Sequence, residues 1–259
     1  MINKKNIKKV FFLFLFFHLI VWTIVPSISN INLPLDTIEA LAWGSNLDWG
    51  FNKHPPLSAS AVEFFYFIFG TNDWSYYLLS QIFVVVAFFF VWKFSNEIFE
   101  DKIFSLSSVL VLSGIYFYNF TSPEFNVNVS QLPFWAMTVY FFWKGLNTNN
   151  KIYWVLFGIV SSLGFLSKYL FIYLLIALLI YFAINLKKFK KIIPNYFLAI
   201  FISLILLLPH FIWLFENNFV TIFYGLKRSG FSEFNILKHL LNPTVFFIKQ
   251  FLILIPFFL

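Results

Sequence analysis

Side chains able to move a proton or hold an anion are scarce in this chain, and they arrive in short separated strings. In PLDTIEALAWG, Asp36 and Glu39 stand three residues apart. Pro34-Leu35-Asp36 followed by Glu39 predicts a capping box that opens a short helix. The same Asp36 carboxylate, held at a rigid helix start, could instead face a cavity and act as a general base. Twelve residues on, DWGFNKHPPLSA gathers an acid, a lysine, a histidine and a Pro-Pro pair. One reading is a proline-stiffened turn with an exposed lysine. The other is a phosphate-binding element in which Lys53 supplies a compact charge, His54 a donor and the prolines a loss of backbone freedom.

Further strings carry the same two readings. TSPEFNVNVSQLPFW offers Glu124, Asn126 and Asn128, ordinary residues for a loop and equally the lining of a polar cavity. Counted from Lys151 at 1.5 Å per residue, Lys168 stands about 24 Å along a helix, at the far edge of a bilayer. A lysine there can snorkel to the surface or meet a lipid phosphate. His210, after Pro209, shares that ambiguity, and Lys227 and Arg228 are either loop charges or phosphate contacts. No GxGxxG, Walker A, HExxH or GxSxG string occurs, so nucleotide chemistry has no visible site.

These groups need elements to hold them, and composition dictates which. The chain is 60% hydrophobic, 24% aromatic and only 11% charged, with a mean hydropathy of +0.81. A soluble domain carries roughly 25% charged residues. Repeated apolar runs of roughly 17 to 20 residues instead predict transmembrane helices, an all-α polytopic bundle with short interfacial helices in its first outer loop. The formal charge of +7 invites a nucleic-acid reading, but the lysines cluster between apolar runs, where they orient a membrane protein. No nucleic-acid partner is expected. The absence of cysteine removes disulfide and thiolate chemistry.

The start MINKKNIKKVFFLFLFFHLIVWTIVP is basic then apolar with no A-x-A site after it, which predicts an uncleaved first helix from about Val10 to Val25. A polar outer segment follows to about Leu57. SASAVEFFYFIFG, too short to span, is expected as a re-entrant or interfacial helix. Later apolar runs alternate in direction, one of them IFSLSSVLVLSGIYFYNF crossing outward. In this scheme the clusters Lys4–Lys9, Lys93 with Lys102, Lys144 with Lys151, and Lys187–Lys191 fall on one side and hold most of the 18 basic residues. Only Glu97, Glu100 and Asp101 among the acids join them. The positive-inside rule then puts the N-terminus in the cytoplasm and every string described above on the opposite face.

LDTIEALAWGSNLDWGFNKHPPLSA, EFNVNVSQLPFWA, GFLSKY and PHFIWL, in that order, resemble the family 39 glycosyltransferases of the membrane-embedded C type. That group includes protein O-mannosyltransferases and the bacterial aminoarabinose transferase that modifies lipid A, and its bacterial members are most similar. The resemblance covers most of the chain as one transmembrane glycosyltransferase-like domain, residues 1–259. It implies an enzyme of the bacterial inner membrane, active on the periplasmic face. Its donor would be a sugar carried on polyprenyl phosphate, its acceptor a lipid, glycan or protein, and membrane lipids its surroundings. No cofactor is expected, with a divalent metal left open. By the resemblance, Asp36 matches the acid that assists the acceptor, with Glu39 as the alternative because relatives carry an adjacent Asp-Glu. The basic residue before proline, Lys53 or His54, meets the donor phosphate, and Glu124 matches a second acid. Lys168 and Arg228 would add positive charge; Asn126, Asn128 and His210 would line the acceptor side. Relatives are longer and this chain stops inside an apolar run, so a partial gene product is expected. The rival reading is a transporter or flippase for a lipid-linked or anionic substrate, which would put ionisable groups near mid-membrane and broken helices in paired positions.

Overall fold

The computed structural model describes residues 6–229 and 236–255. Lys4 and Lys5 of the basic start, and the last four residues of the terminal apolar run, lie outside the described residues. Every regular element among the described residues is helical, and the fold is an all-α membrane bundle. In chain order the helices are α1 (Ile7–Ser29), α2 (Leu35–Gly44), α3 (Leu57–Phe69), α4 (Asp73–Ile98), α5 (Lys102–Ser113) and α6 (Val127–Thr148). They continue with α7 (Lys151–Ser167), α8 (Ile172–Ile184), the single turn α9 (Leu186–Phe189), α10 (Ile193–Glu216), α11 (Val220–Arg228) and α12 (Ile236–Leu254).

Three stretches are long and apolar enough to cross a membrane: Ile7–Ser29, Asp73–Ile98 and Leu186–Glu216, the last running through α9 and α10. They mark the chain as an integral membrane protein. Phe12, Phe16, Phe17 and Val21 on α1, and Phe197, Phe201, Leu204 and Leu208 on α10, remain exposed. In lipid such a surface costs nothing, because acyl chains are as apolar as these side chains.

Helices α1, α4, α6, α7 and α10 stand in a row, each packed on the next, with α5 against the α1–α4 edge. Helix α2 packs on α3, which leans on α4, α6 and α7, so the segment between α1 and α4 is seated on the row. Without a hydrophobic drive between helices in lipid, close approach and interhelical hydrogen bonds must hold them. The α7–α10 contact uses both. A Cβ on Gly158 would lie 2.6 Å from the Ala199 carbonyl oxygen. The Ser162 and Ser203 hydroxyls both donate to the Gly158 carbonyl, at 2.9 and 3.0 Å.

The first helix runs past its expected end at Val25, carrying Pro26 in its last turns. The expected outward crossing from Ile103 to Phe120 is not one helix. Helix α5 stops after 12 residues, about 18 Å of rise against roughly 30 Å of bilayer core. At its end the Ser113 hydroxyl bonds back to the Leu110 carbonyl at 2.8 Å, and the Asn119 amide takes the Ser113 carbonyl. Side chains that satisfy the backbone this way compete with further helix. A 3-10 turn, Tyr116–Tyr118, follows.

Gly158→Leu should destabilise the protein by about 1–3 kcal/mol through overpacking of the α7–α10 contact. Gly225→Ala, where nothing lies within 4 Å of the new Cβ, should cost nothing. Unfolding by denaturing detergent in micelles reads both.

Candidate functional site

Helix α2 carries both acids of the first string, but not as a capping box. Its N-cap is Pro34, which makes no side-chain cap, and Asp36 lies inside the first turn. The backbone N–H of Asp36 donates to Glu124 Oε1 at 3.1 Å, across 88 residues of sequence. Proline offers no side-chain acceptor, so the orphan donors of the first turn are met from another segment. A carboxylate also suits the positive end of the helix dipole.

The segment that supplies Glu124 is fixed by its neighbours. The Thr37 hydroxyl donates to the Phe125 carbonyl at 3.1 Å. Asn126 is the N-cap of α6, its Oδ1 accepting the backbone N–H groups of Asn128 at 2.9 Å and Val129 at 3.2 Å. With the oxygen committed there, the Asn126 amide faces the other way and donates to Asp36 Oδ2 at 3.3 Å. Asp36, Glu124 and Asn126 therefore form one cluster, built from α2, the 121–126 turn and the start of α6.

Glu39, one turn further along α2, takes a different partner: it forms an ion pair with Lys53 of the NKHPPL string. That hydrogen bond holds the Lys53 ammonium above its ordinary range. His54, half-buried beside an edge-on Trp43 ring 5.6 Å away, is pushed below its ordinary 6.5, first by burial. The charges of Glu39, Lys168, Asp36 and Arg228 all reach it, which sets His54 among the candidate groups.

Lys168 caps α7 in extended backbone and breaks the chain between α7 and α8. Its ammonium donates to the Asn128 side-chain oxygen. Burial first, then Arg228, lowers its proton affinity. Among the described residues no carboxylate pairs with Lys168. Arg228, exposed at the end of α11, acts on Lys53, His54 and Lys168 alike.

The loop between α2 and α3 is clamped by α10, α11 and their neighbours. Asp48 Oδ2 accepts the indole N–H of Trp213 at 2.7 Å. The Thr221 hydroxyl donates to the Phe51 carbonyl at 2.6 Å. His210 is fully buried, with Nδ1 2.5 Å from the Trp49 carbonyl and Nε2 2.9 Å from the Tyr169 hydroxyl. A carbonyl only accepts, so Nδ1 carries the proton and a neutral ring takes the tyrosine proton on Nε2. His210 thus has both nitrogens engaged under the loop. Gly50 permits the fit, since a Cβ there would come within 2.4 Å of the Trp213 ring. The signal for Tyr169 and Trp213 lay in the strings GFLSKY and PHFIWL that drew attention to Lys168 and His210. Asp48 stood in the DWGFNKHPPLSA string as its acid, with nothing local to point to Trp213, and Thr221 had no local signal.

Among the described residues no cluster of three or more His, Asp or Glu side chains could hold a metal ion.

The arrangement brings acids, cations and amides to one end of a membrane bundle, and known proteins can now be set beside it. The family model for dolichyl-phosphate-mannose-protein mannosyltransferase matches residues 53–213, well over half of the chain. The chain belongs to this family of membrane glycosyltransferases. No curated protein matches it, and no solved structure does. The matched span opens at Lys53 and closes at Trp213, and it contains His54, Glu124, Asn126, Asn128, Lys168 and His210. Asp36 and Glu39 on α2, Asp48 on the loop and Arg228 on α11 lie outside it. Asp36, Glu39 and Asp48 join the matched residues through the contacts above, and Arg228 through its charge.

Because the folded state holds His54 below 6.5, the unfolded chain binds more protons as pH falls past that value. The resulting stability is complete above pH 6.5 and is lost as pH drops through the lower folded value. Wild-type protein should therefore lose more stability on acidification below pH 6.5 than His54→Gln, measured by detergent unfolding across that range.

Proposed function

We propose that the chain moves a sugar from a polyprenyl-phosphate donor to a hydroxyl of a lipid, glycan or protein acceptor, on the non-cytoplasmic face of a bacterial inner membrane. One domain spanning residues 1–259 would carry the activity. Its lysine-rich turns would face the cytoplasm, and the α2 cluster the periplasm. The observation that carries this reading is the unequal treatment of the two α2 acids. Glu39 is charge-paired with Lys53, so a cation already occupies its carboxylate. Asp36 is exposed, and among the described residues its carboxylate receives only the neutral amide of Asn126 at 3.3 Å, which orients it and leaves it open to an acceptor. Asp36 is the general base in this account, and Glu124 and Asn126 orient it.

In the transfer step the acceptor oxygen attacks the anomeric carbon while its proton passes to Asp36. The bond from that carbon to the phosphate oxygen breaks on the opposite side, with inversion. Polyprenyl phosphate leaves with the bonding electrons as an anion. Lys168 and Arg228, which have no carboxylate partner among the described residues, would balance the growing charge, and neutral His54 would donate a hydrogen bond. Half-burial of Lys168 and His54 makes such contacts stronger than in bulk water. Lys53 is already committed to Glu39, which makes His54 the better candidate before the Pro-Pro pair. His210, buried with both nitrogens bonded, supports the loop and has no free atom for the acceptor.

Purified protein in nanodiscs, offered a panel of polyprenyl-phosphate sugars, tests this. Asp36→Asn should fold normally and lose transfer by at least about 100-fold, the scale of general-base catalysis. Glu39→Gln should lose less. Normal transfer by Asp36→Asn would sink the assignment.

A further inference from the structure

Beneath the 121–126 turn, the apolar packing of α1, α4 and α5 holds polar groups that the transfer step does not use. Ser80 and Gln81 on α4 and Ser122 in the turn are all fully buried. The Ser80 hydroxyl donates to the Ser122 carbonyl. The Gln81 amide donates to the Ser122 hydroxyl at 3.3 Å. That hydroxyl donates onward to the Tyr118 carbonyl at 3.1 Å. The chain reaches deeper on its other side. Gln81 faces His18 of α1, which is 6% exposed and stacks edge-on against Phe88 at 5.1 Å. His18 Nε2 and Gln81 Oε1 are both buried and neither has a hydrogen-bond partner. The hydrogen-bonded chain runs one way, from Gln81 to Ser122 and from Ser122 to the backbone.

Burying an amide and a hydroxyl in an apolar bundle costs a few kcal/mol unless they are bonded. Here the Gln81 amide N–H and the Ser80 hydroxyl are bonded, through Ser122, to the turn that carries Glu124 and Asn126, the two side chains that fix Asp36. Ser122 stands two residues before Glu124, and its backbone and side chain are both held by α4. These bonds add to the Asn126 cap of α6 and to the buried Phe125 ring, which packs edge-on against Phe83 of α4 at 5.2 Å.

We infer that Ser80 and Gln81 are positioning residues: they hold the 121–126 turn so that Glu124 and Asn126 aim the Asp36 carboxylate at the acceptor. The kinetic consequence rests on the role proposed above for Asp36; the mechanical one, that α4 anchors the turn, does not. A small displacement of an oriented group costs rate and leaves donor binding untouched, because the donor contacts lie on Lys168, His54 and Arg228.

Gln81→Met keeps the volume and removes the hydrogen bonds; Ser80→Ala removes one bond with little change in packing. Hydrogen–deuterium exchange of the full-length protein in nanodiscs, without substrate, should show faster exchange across residues 121–126 in both variants. Ser80→Thr, which keeps the hydroxyl, should restore protection. In transfer assays Gln81→Met and Ser80→Ala should each lower kcat by about 10-fold while donor KM changes less than about twofold, the pattern of a misplaced catalytic group. In an Asp36→Asn background the further loss should fall below about twofold, since a positioning residue has nothing left to position. Unchanged exchange at 121–126 overturns the inference whatever the activity. Faster exchange with unchanged kcat, in a protein whose Asp36→Asn variant is inactive, overturns it too. If Asp36→Asn transfers normally, the reading of Asp36 fails, and the exchange result alone decides whether α4 anchors the turn.

Discussion

A helix that begins at proline has no side chain of its own to satisfy its first turn, and α2 begins at Pro34. At the rim of a membrane bundle that deficiency has to be met by some other segment. Here it is met by Glu124, whose carboxylate receives the Asp36 N–H. This one long-range cap ties α2 to the 121–126 turn, and several features follow from it. The Thr37 hydroxyl can reach the Phe125 carbonyl. Asn126, already committed to capping α6, is left with its amide against Asp36. The acid pair is thereby split, with Asp36 turned to the turn and Glu39 to Lys53.

The charges divide along the same line. Lys53 and Glu39 neutralise each other, whereas Lys168 leans on a neutral amide and Arg228 lies exposed. A site arranged this way keeps positive charge in reserve on the α7 and α11 side and a carboxylate in reserve on the α2 side. An anionic leaving group and a hydroxyl acceptor need that separation. The loop between them is not loose. Asp48, Trp49 and Phe51 are each bonded to a residue after position 209, which brings the two ends of the matched family span, Lys53 and Trp213, into one assembly.

Much of this was legible in the sequence where the physics is local. Apolar runs bounded by lysines gave the helices, and Lys168 lies where a run from Lys151 was bound to end. The gathering of Asp36, His54, Glu124 and Lys168 at one end followed from the alternation of those runs. What stayed hidden was every contact made across the chain. The spacing of Asp36 and Glu39 imitates a capping box, and nothing local says that Glu124 does the capping. The partners of Glu39 and of His210 are 14 and 161 residues away in sequence, so a paired acid and a free one read alike. The early stop of α5 was masked because its hydroxyl and amide side chains look compatible with a crossing until they bond back to the backbone.

The central claim is that the phosphate of a polyprenyl carrier is held at this end of the bundle. A cryo-electron microscopy structure of the nanodisc-embedded protein with polyprenyl phosphate bound tests it most directly. The account predicts the phosphate within hydrogen-bonding reach of Lys168 and His54, with Arg228 turned toward it and the Asp36 carboxylate open to the acceptor side. A phosphate seated instead among Lys187, Lys188, Lys190 and Lys191 would contradict it.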